Sequence, residues 1–187
     1  MAVKNKKNKL VGNKPRTPQV VSLPNPFAKS VEGKYFLGQT EILTLRDAKY
    51  SWGGLINPSN SGVKLFVNVF TVTNLSTEPL TARIYLNSNL PGGGQTATKV
   101  SPSNTSIQPI PQPKVNLMYE ESTIVFPTEG VNVFNREIPP LSTVVGEEDG
   151  KYIFSPGGTF VLFLEKTSSG LAAIAAKIAF GWWEEKL

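Results

Sequence analysis

The sequence predicts an all-β protein: a β-sandwich, jelly-roll-like, behind a disordered or donated N-terminal arm. Three observations lead there. From Lys34 onward, apolar and polar residues alternate with a period of two, as half-buried strands require. Clusters of Gly, Pro, Asn, Asp and Ser break these runs at short intervals, which suits a many-stranded body and leaves little room for helices. Residues 1–31 instead set Pro15, Pro18, Pro24 and Pro26 among Lys and Asn, a composition that buries too little apolar surface to offset the entropy of ordering. The 187 residues therefore divide into a basic, proline-rich arm, 1–31, and a single β-sandwich domain, 32–187.

The arm comes first. Lys4, Lys6, Lys7, Lys9, Lys14 and Arg16 give six positive charges before residue 17, and the rest of the chain has 13 basic against 14 acidic residues. The formal charge of +5 thus belongs to the arm, and the body is near neutral. Such an arm can neutralise nucleic-acid phosphate through counterion release, although six charges are modest for that task. "PQVVSLPNPF" supplies Val20, Val21, Leu23 and Phe27 between prolines. A short extended apolar segment of this kind suits addition to an open sheet edge of a neighbour.

In the body, "KYFLG" and "TEILTLR" are short strand candidates. "GGLINPSNSG", residues 53–62, reads as a turn-rich loop: its asparagines satisfy backbone groups, its glycines accept positive φ, and Leu55 and Ile56 pin it to the core. "VKLFVNVFTVTN", residues 63–74, is a strand covered on both sides, with Val63, Leu65, Val67, Val69 and Thr71 on one face and Phe66, Phe70 and Val72 on the other. "LSTEP" then turns the chain into "LTARIYLN", and the pair reads as a hairpin. Residues 88–114, with "PGGG" and "QPIPQP", read as a surface excursion without a core of its own. Strands resume in "STIVF" and "GVNVFNREI". Asp149-Gly150 inside "VVGEEDGKYIF" predicts a tight hairpin turn, and "SPGG" turns the chain into "TFVLFLEK". The last segment, residues 171–185, fits a helical stripe or a strand. The tight turn before it and Gly181 within it favour the strand, with Ala172, Ile174, Ala176, Ile178, Phe180 and Trp182 on one face.

Chemistry is narrowly bounded. With no Cys and no His, thiolate nucleophiles, imidazole bases, disulfides and the usual zinc and haem ligands are excluded. Three acidic clusters remain: Glu120-Glu121, Glu147-Glu148-Asp149 and Glu184-Glu185. A glycosidase needs two converging carboxylates, and neighbours on a strand point to opposite faces. The turn at 147–149 offers hard oxygen ligands for calcium, and also reads as ordinary solvated charge. Trp52, Trp182 and Trp183 are candidates for a surface aromatic platform on which a sugar could stack. The residues predict no catalytic group, no metal and no cofactor. No apolar run is long enough to span a membrane, and no apolar h-region follows the N-terminal lysines, so a cleaved secretion signal is not expected.

"GGLINPSNSGVKLFVNVFTVTN" together with "AKIAFGWWEE" resembles a family of small all-β proteins from Gram-positive spore formers, over most of residues 35–187. More loosely, a flexible arm ahead of a jelly-roll-like body resembles the pilins of endospore appendages, whose N-terminal connector docks into the next subunit. Those pilins staple the connector through cysteines, which this chain lacks. The same plan resembles coat proteins of small icosahedral viruses, whose arm binds packaged nucleic acid. These resemblances imply a non-enzymatic subunit whose partner is itself, assembling as a filament, ring or shell, on a spore or particle surface reached without secretion. The alternatives are a carbohydrate or surface-polymer binding module and a virion-type coat protein.

Overall fold

The computed structural model describes residues 22–46, 49–167 and 172–187. One short helix, α1 (Asn25–Val31), precedes twelve strands: β1 (Tyr35–Gln39), β2 (Leu43–Leu45), β3 (Tyr50–Ile56), β4 (Val63–Asn74), β5 (Leu80–Leu86), β6 (Gln95–Thr96), β7 (Val100–Pro102), β8 (Asn116–Thr123), β9 (Val131–Ile138), β10 (Thr143–Phe154), β11 (Thr159–Lys166) and β12 (Ile174–Lys186). They form two antiparallel sheets, β10-β4-β12-β1-β7 with β2 also on β12, and β6-β8-β3-β11-β5-β9. The all-β sandwich expected from the sequence is the fold observed.

The pairing is nested. β1 pairs with β12, β3 with β11, β4 with β10 and β5 with β9, so the chain is one long antiparallel hairpin rolled into two layers. The orders β1-β12-β4-β10 and β3-β11-β5-β9 are those of a jelly roll. Between the layers lie Leu43, Leu45, Leu55, Leu65, Phe160, Leu162, Ile178 and Trp182, all fully buried.

Rolling sends several connections from one sheet to the other; an asparagine stands at two of these corners, and a third asparagine, after β5, binds the start of β11. Asn57, after β3, donates from Nδ2 to the carbonyls of Val63 (2.9 Å) and Phe154 (3.1 Å). Its own N–H reaches Gly158 O, so it ties the β3–β4 and β10–β11 crossings together. Asn74, at the end of β4, donates to Glu78 O, Ile138 O and Pro139 O and accepts from Ser76 N. Asn87, after β5, accepts from Thr159 N with φ +55.

Five local expectations are corrected. Gly53 and Gly54 belong to β3 and not to a loop. A Cβ on Gly53 would meet Thr40 Cγ2 at 2.8 Å, and one on Gly54 would meet Phe160 O at 2.6 Å, so both are small because neighbours press on them. β4 and β5 are no hairpin, because they lie in different sheets. The β4 alternation changes phase at Asn68. Pairing skips from Val69, opposite Gly181, to Val67, opposite Trp182, a bulge that turns Val69 and Thr71 outward and Phe70 and Val72 inward. Asp149-Gly150 makes a bulge inside β10 and no hairpin: pairing with β4 jumps from Glu147 to Tyr152, and Gly150 lies against Trp183 on the outer face. Finally, the strand read at "STIVF" ends at Thr123, leaving Ile124, Val125 and Phe126 exposed in a loop.

The 88–114 excursion is also more structured than expected. Its β6 extends the second sheet on β8, and its β7 extends the first on β1, with Ala97 buried behind them. The ambiguous C-terminal segment is the strand β12, with Ile174, Ala176, Ile178, Phe180 and Trp182 facing inward.

Candidate functional site

The arm residues Lys4, Lys6, Lys7, Lys9, Lys14, Arg16, Val20 and Val21 lie outside the described residues. Leu23 and Phe27 are within them, each 54% exposed. Phe27 sits on α1, whose start is set by Pro24 and Pro26. α1 is fastened to the body. Lys29 forms an ion pair with Glu185 of β12, Ser30 bonds Ser103 at 2.7 Å, and Lys34 donates to Glu185 at 3.0 Å. Burial pushes the Glu185 carboxyl up, but hydrogen bonds from Lys29 and Lys34 outweigh it and hold the group below its ordinary value. The exit point of the arm is thus fixed at the Glu185 end of the first sheet.

The expected aromatic platform is absent. Trp52 is fully buried under Gly94 and donates Nε1 to Pro91 O at 2.7 Å. Trp182 is inside the core beside Phe36, and its Nε1 donates to Glu184 at 3.2 Å. Trp183 faces outward but stacks on Phe66 at 5.3 Å beneath the β10 bulge. A rolled sandwich with long crossovers covers its outer faces with its own loops, and Trp52 and Trp183 fill those contacts, while Trp182 belongs to the core between the layers.

The acidic clusters divide as strand geometry demands. Glu184 points in and Glu185 out. Glu184 accepts from the backbone N–H groups of Lys114 and Val115 and from Trp182, pinning the end of the excursion to β12. Burial raises its carboxyl above the ordinary value, against the pull of those donors. Glu120 accepts from Gly94 N at 3.2 Å. Among the described residues, no group of three or more Asp or Glu side chains could hold a metal ion, and no helix is long and apolar enough to cross a membrane.

What remains open is one side of the sandwich. On the β1/β3 side the sheets end in β7 and β6, of three and two residues. On the other side they end in the long consecutive strands β9 and β10, each paired along one edge alone. The rim between them carries Phe134, 40% exposed with the Arg136 guanidinium 4.8 Å above its ring, and the half-buried Val144 and Tyr152, while Val145 and Ile153 are exposed on the outer face of β10. Tyr152 at this rim is within electrostatic reach of both Glu148 and Arg136. Residues 129–154 carry Glu129, Glu137, Glu147, Glu148 and Asp149 against Arg136 and Lys151 alone. None of the five carboxylates joins an ion pair among the described residues. The sequence marked "GVNVFNREI" as a strand, but its edge position follows only from the nested pairing.

The family of unknown function DUF6143 matches residues 7–187, nearly the whole chain. No curated protein and no solved structure matches it.

Proposed function

We propose that this chain, which belongs to the DUF6143 family, is a non-enzymatic structural subunit that assembles with copies of itself through its N-terminal arm and open sheet edges. The observation that supports this is the asymmetry of the sandwich: two long unpaired edges, β9 and β10, on the side away from the strands β1 and β7, where the arm leaves. Unpaired edges recruit strands unless they are blunted. A binding surface on one side and a donor segment on the other is a head-to-tail arrangement, which closes into rings or shells or extends into filaments. Placement on a spore or particle surface, as the sequence resemblance implies, belongs to the same proposal.

The test is electron microscopy and light scattering of the full chain and of a chain lacking residues 1–21. The full chain forms regular oligomers, and the truncated one stays monomeric with an unchanged β-type circular dichroism spectrum. Oligomers that survive truncation would defeat the proposal. The jelly-roll order together with the six arm cations favours a second reading, a coat protein. Particles that retain RNA at low salt and lose it at high salt would select it.

A further inference from the structure

We infer that the acceptor of the arm is the β9 edge of a second copy, with Gln19–Leu23 added beside Phe134–Ile138 and the arm's cations set against the carboxylates of the β9–β10 side. The inference rests on the assembly reading above and names the site at which it occurs.

Length fits the strand. Proline has no N–H for a ladder, so Pro18 and Pro24 bound a donor stretch of five residues, Gln19 to Leu23. β9 is interrupted by a bulge where pairing passes from Ile84 to Tyr85. Its unbroken part, Phe134 to Ile138 against Ile84 to Leu80, is also five residues long. β10 offers a run of the same length, Thr143 to Glu147, but the bulge at 148–151 interrupts that edge directly beyond it, and bulges are a device by which sheets blunt their edges. The exposed Phe134 at the rim then favours β9.

Side-chain direction agrees. Phe134 lies opposite Ile84 and Ile138 opposite Leu80, both inward-facing, so an added strand sends alternate residues into the rim beside Phe134. Val21 and Leu23 are two apart and share that face. Ser22 then lies outward with Asn135 and Glu137.

Reach makes the contact intermolecular. α1 is held at Glu185, whereas Ile138 lies at the other end of the sandwich, where Asn74 binds its carbonyl and registers with Ala176. The nine steps from Ala176 to Glu185 span about 30 Å. Laid along Phe134–Ile138 in either direction, the donor needs Gln19 or Leu23 at Ile138. Gln19 is six residues from Asn25, which span at most about 22 Å, and the four helical steps from Asn25 to the Lys29 anchor add about 6 Å, still short of that distance before any crossing between the sheets. The same edge on a neighbouring copy has no such limit.

Charge agrees as well. Residues 1–21 have six cations and no carboxylate, and residues 129–154 have five carboxylates and two cations.

The chain has no cysteine, so engineered thiols report the contact directly. Mixing Ser22→Cys protein with Asn135→Cys or Glu137→Cys protein under mild oxidation should give a disulfide-linked dimer. Yield with Ser101→Cys, on the exposed opposite edge β7, should be at least ten-fold lower. A Glu147→Lys/Glu148→Lys/Asp149→Lys triple variant, altered at the bulge and the paired residue just before it, should associate at least ten-fold more weakly at low salt and lose most of its salt dependence. If removing residues 1–21 abolishes assembly but Ser22→Cys couples equally to Ser101→Cys, or fails to couple to either β9 thiol, the acceptor is wrong while the assembly reading stands. If truncation leaves assembly intact, both fall.

Discussion

At the scale of single residues, the polar side chains in the interior act as fasteners. Asn57, Asn74 and Glu184 are buried, and each bonds backbone groups of connections that arrive from elsewhere in the chain, although Asn57 Oδ1 has no partner among the described residues. The sequence disclosed part of this, because asparagine among glycines and prolines signals a loop that must satisfy its own backbone. It did not disclose Glu184, whose partners at Lys114 and Val115 are 70 and 69 residues away. Glu184 also yields a signed pH prediction. Its folded-state carboxyl is raised by burial above the ordinary 4.5. The stability linked to it is therefore complete below the unfolded value and declines as pH rises through the folded one. Glu184→Gln removes that decline, so urea melts should show the variant gaining on the wild type between pH 4 and pH 7. The fixed cost of offering an amide to N–H donors is equal at both pH values and cancels in the comparison. Glu184→Ala loses the acceptor and should cost about 1–3 kcal/mol. A Glu184→Gln difference independent of pH would refute the assignment.

At the scale of elements, regular strands were legible and irregular ones were not. β5 was legible from alternation, because it has one continuous inward face. β4 and β11 were legible as apolar runs, the phase change of β4 at Asn68 was not, and β12 needed the preceding turn and Gly181 to decide strand over helix. β3 was missed because Gly53 and Gly54 resemble turn residues, yet they are small to admit Thr40 and the Phe160 backbone. "EEDG" was read as a hairpin because Asp-Gly favours positive φ, and Asp149 and Gly150 do have it, at +50° and +74°. What the sequence could not show is that the same dihedrals serve a bulge that covers Trp183. Two glycines separate backbone from packing. Gly62, at φ +69, has open space around its missing Cβ, whereas a Cβ on Gly150 would collide with the Trp183 indole. Gly62→Ala should cost about 1–2 kcal/mol, the left-handed penalty alone. Gly150→Ala should cost that plus about 1–3 kcal/mol for displacing the indole. Thermal melts that rank the two equally would show that the bulge does not clamp Trp183.

At the scale of the whole molecule, the sequence predicted two layers but not which strands meet. Nested pairing sets β1 against β12 and β5 against β9, contacts that no local pattern encodes. Yet the nesting decides which edges stay open, and hence what the arm can do. The segment between β5 and β9 supplies β6, β7 and β8 to the β1/β3 side, so that side ends in strands of two and three residues, while the long strands β9 and β10 are left bare on the other. Assembly through the arm then predicts a separation between folding and association. Val21→Asp with Leu23→Asp alters residues that precede the first strand in the chain and removes the two apolar anchors of the proposed donor strand, worth about 3 kcal/mol or more together. That corresponds to a hundred-fold or greater loss of association. Sedimentation should show monomers where the wild type forms oligomers, and melting of the dilute monomer should be unchanged. Val20→Asp, on the opposite face of the extended segment, should weaken association less, since alternate residues of an added strand point away from the rim. If Val20→Asp is as damaging as the double variant, the arm binds through charge or bulk hydrophobicity and not as an ordered strand. If the double variant assembles normally, contacts between the folded bodies carry the assembly, and the open edges of β9 and β10 serve some other end.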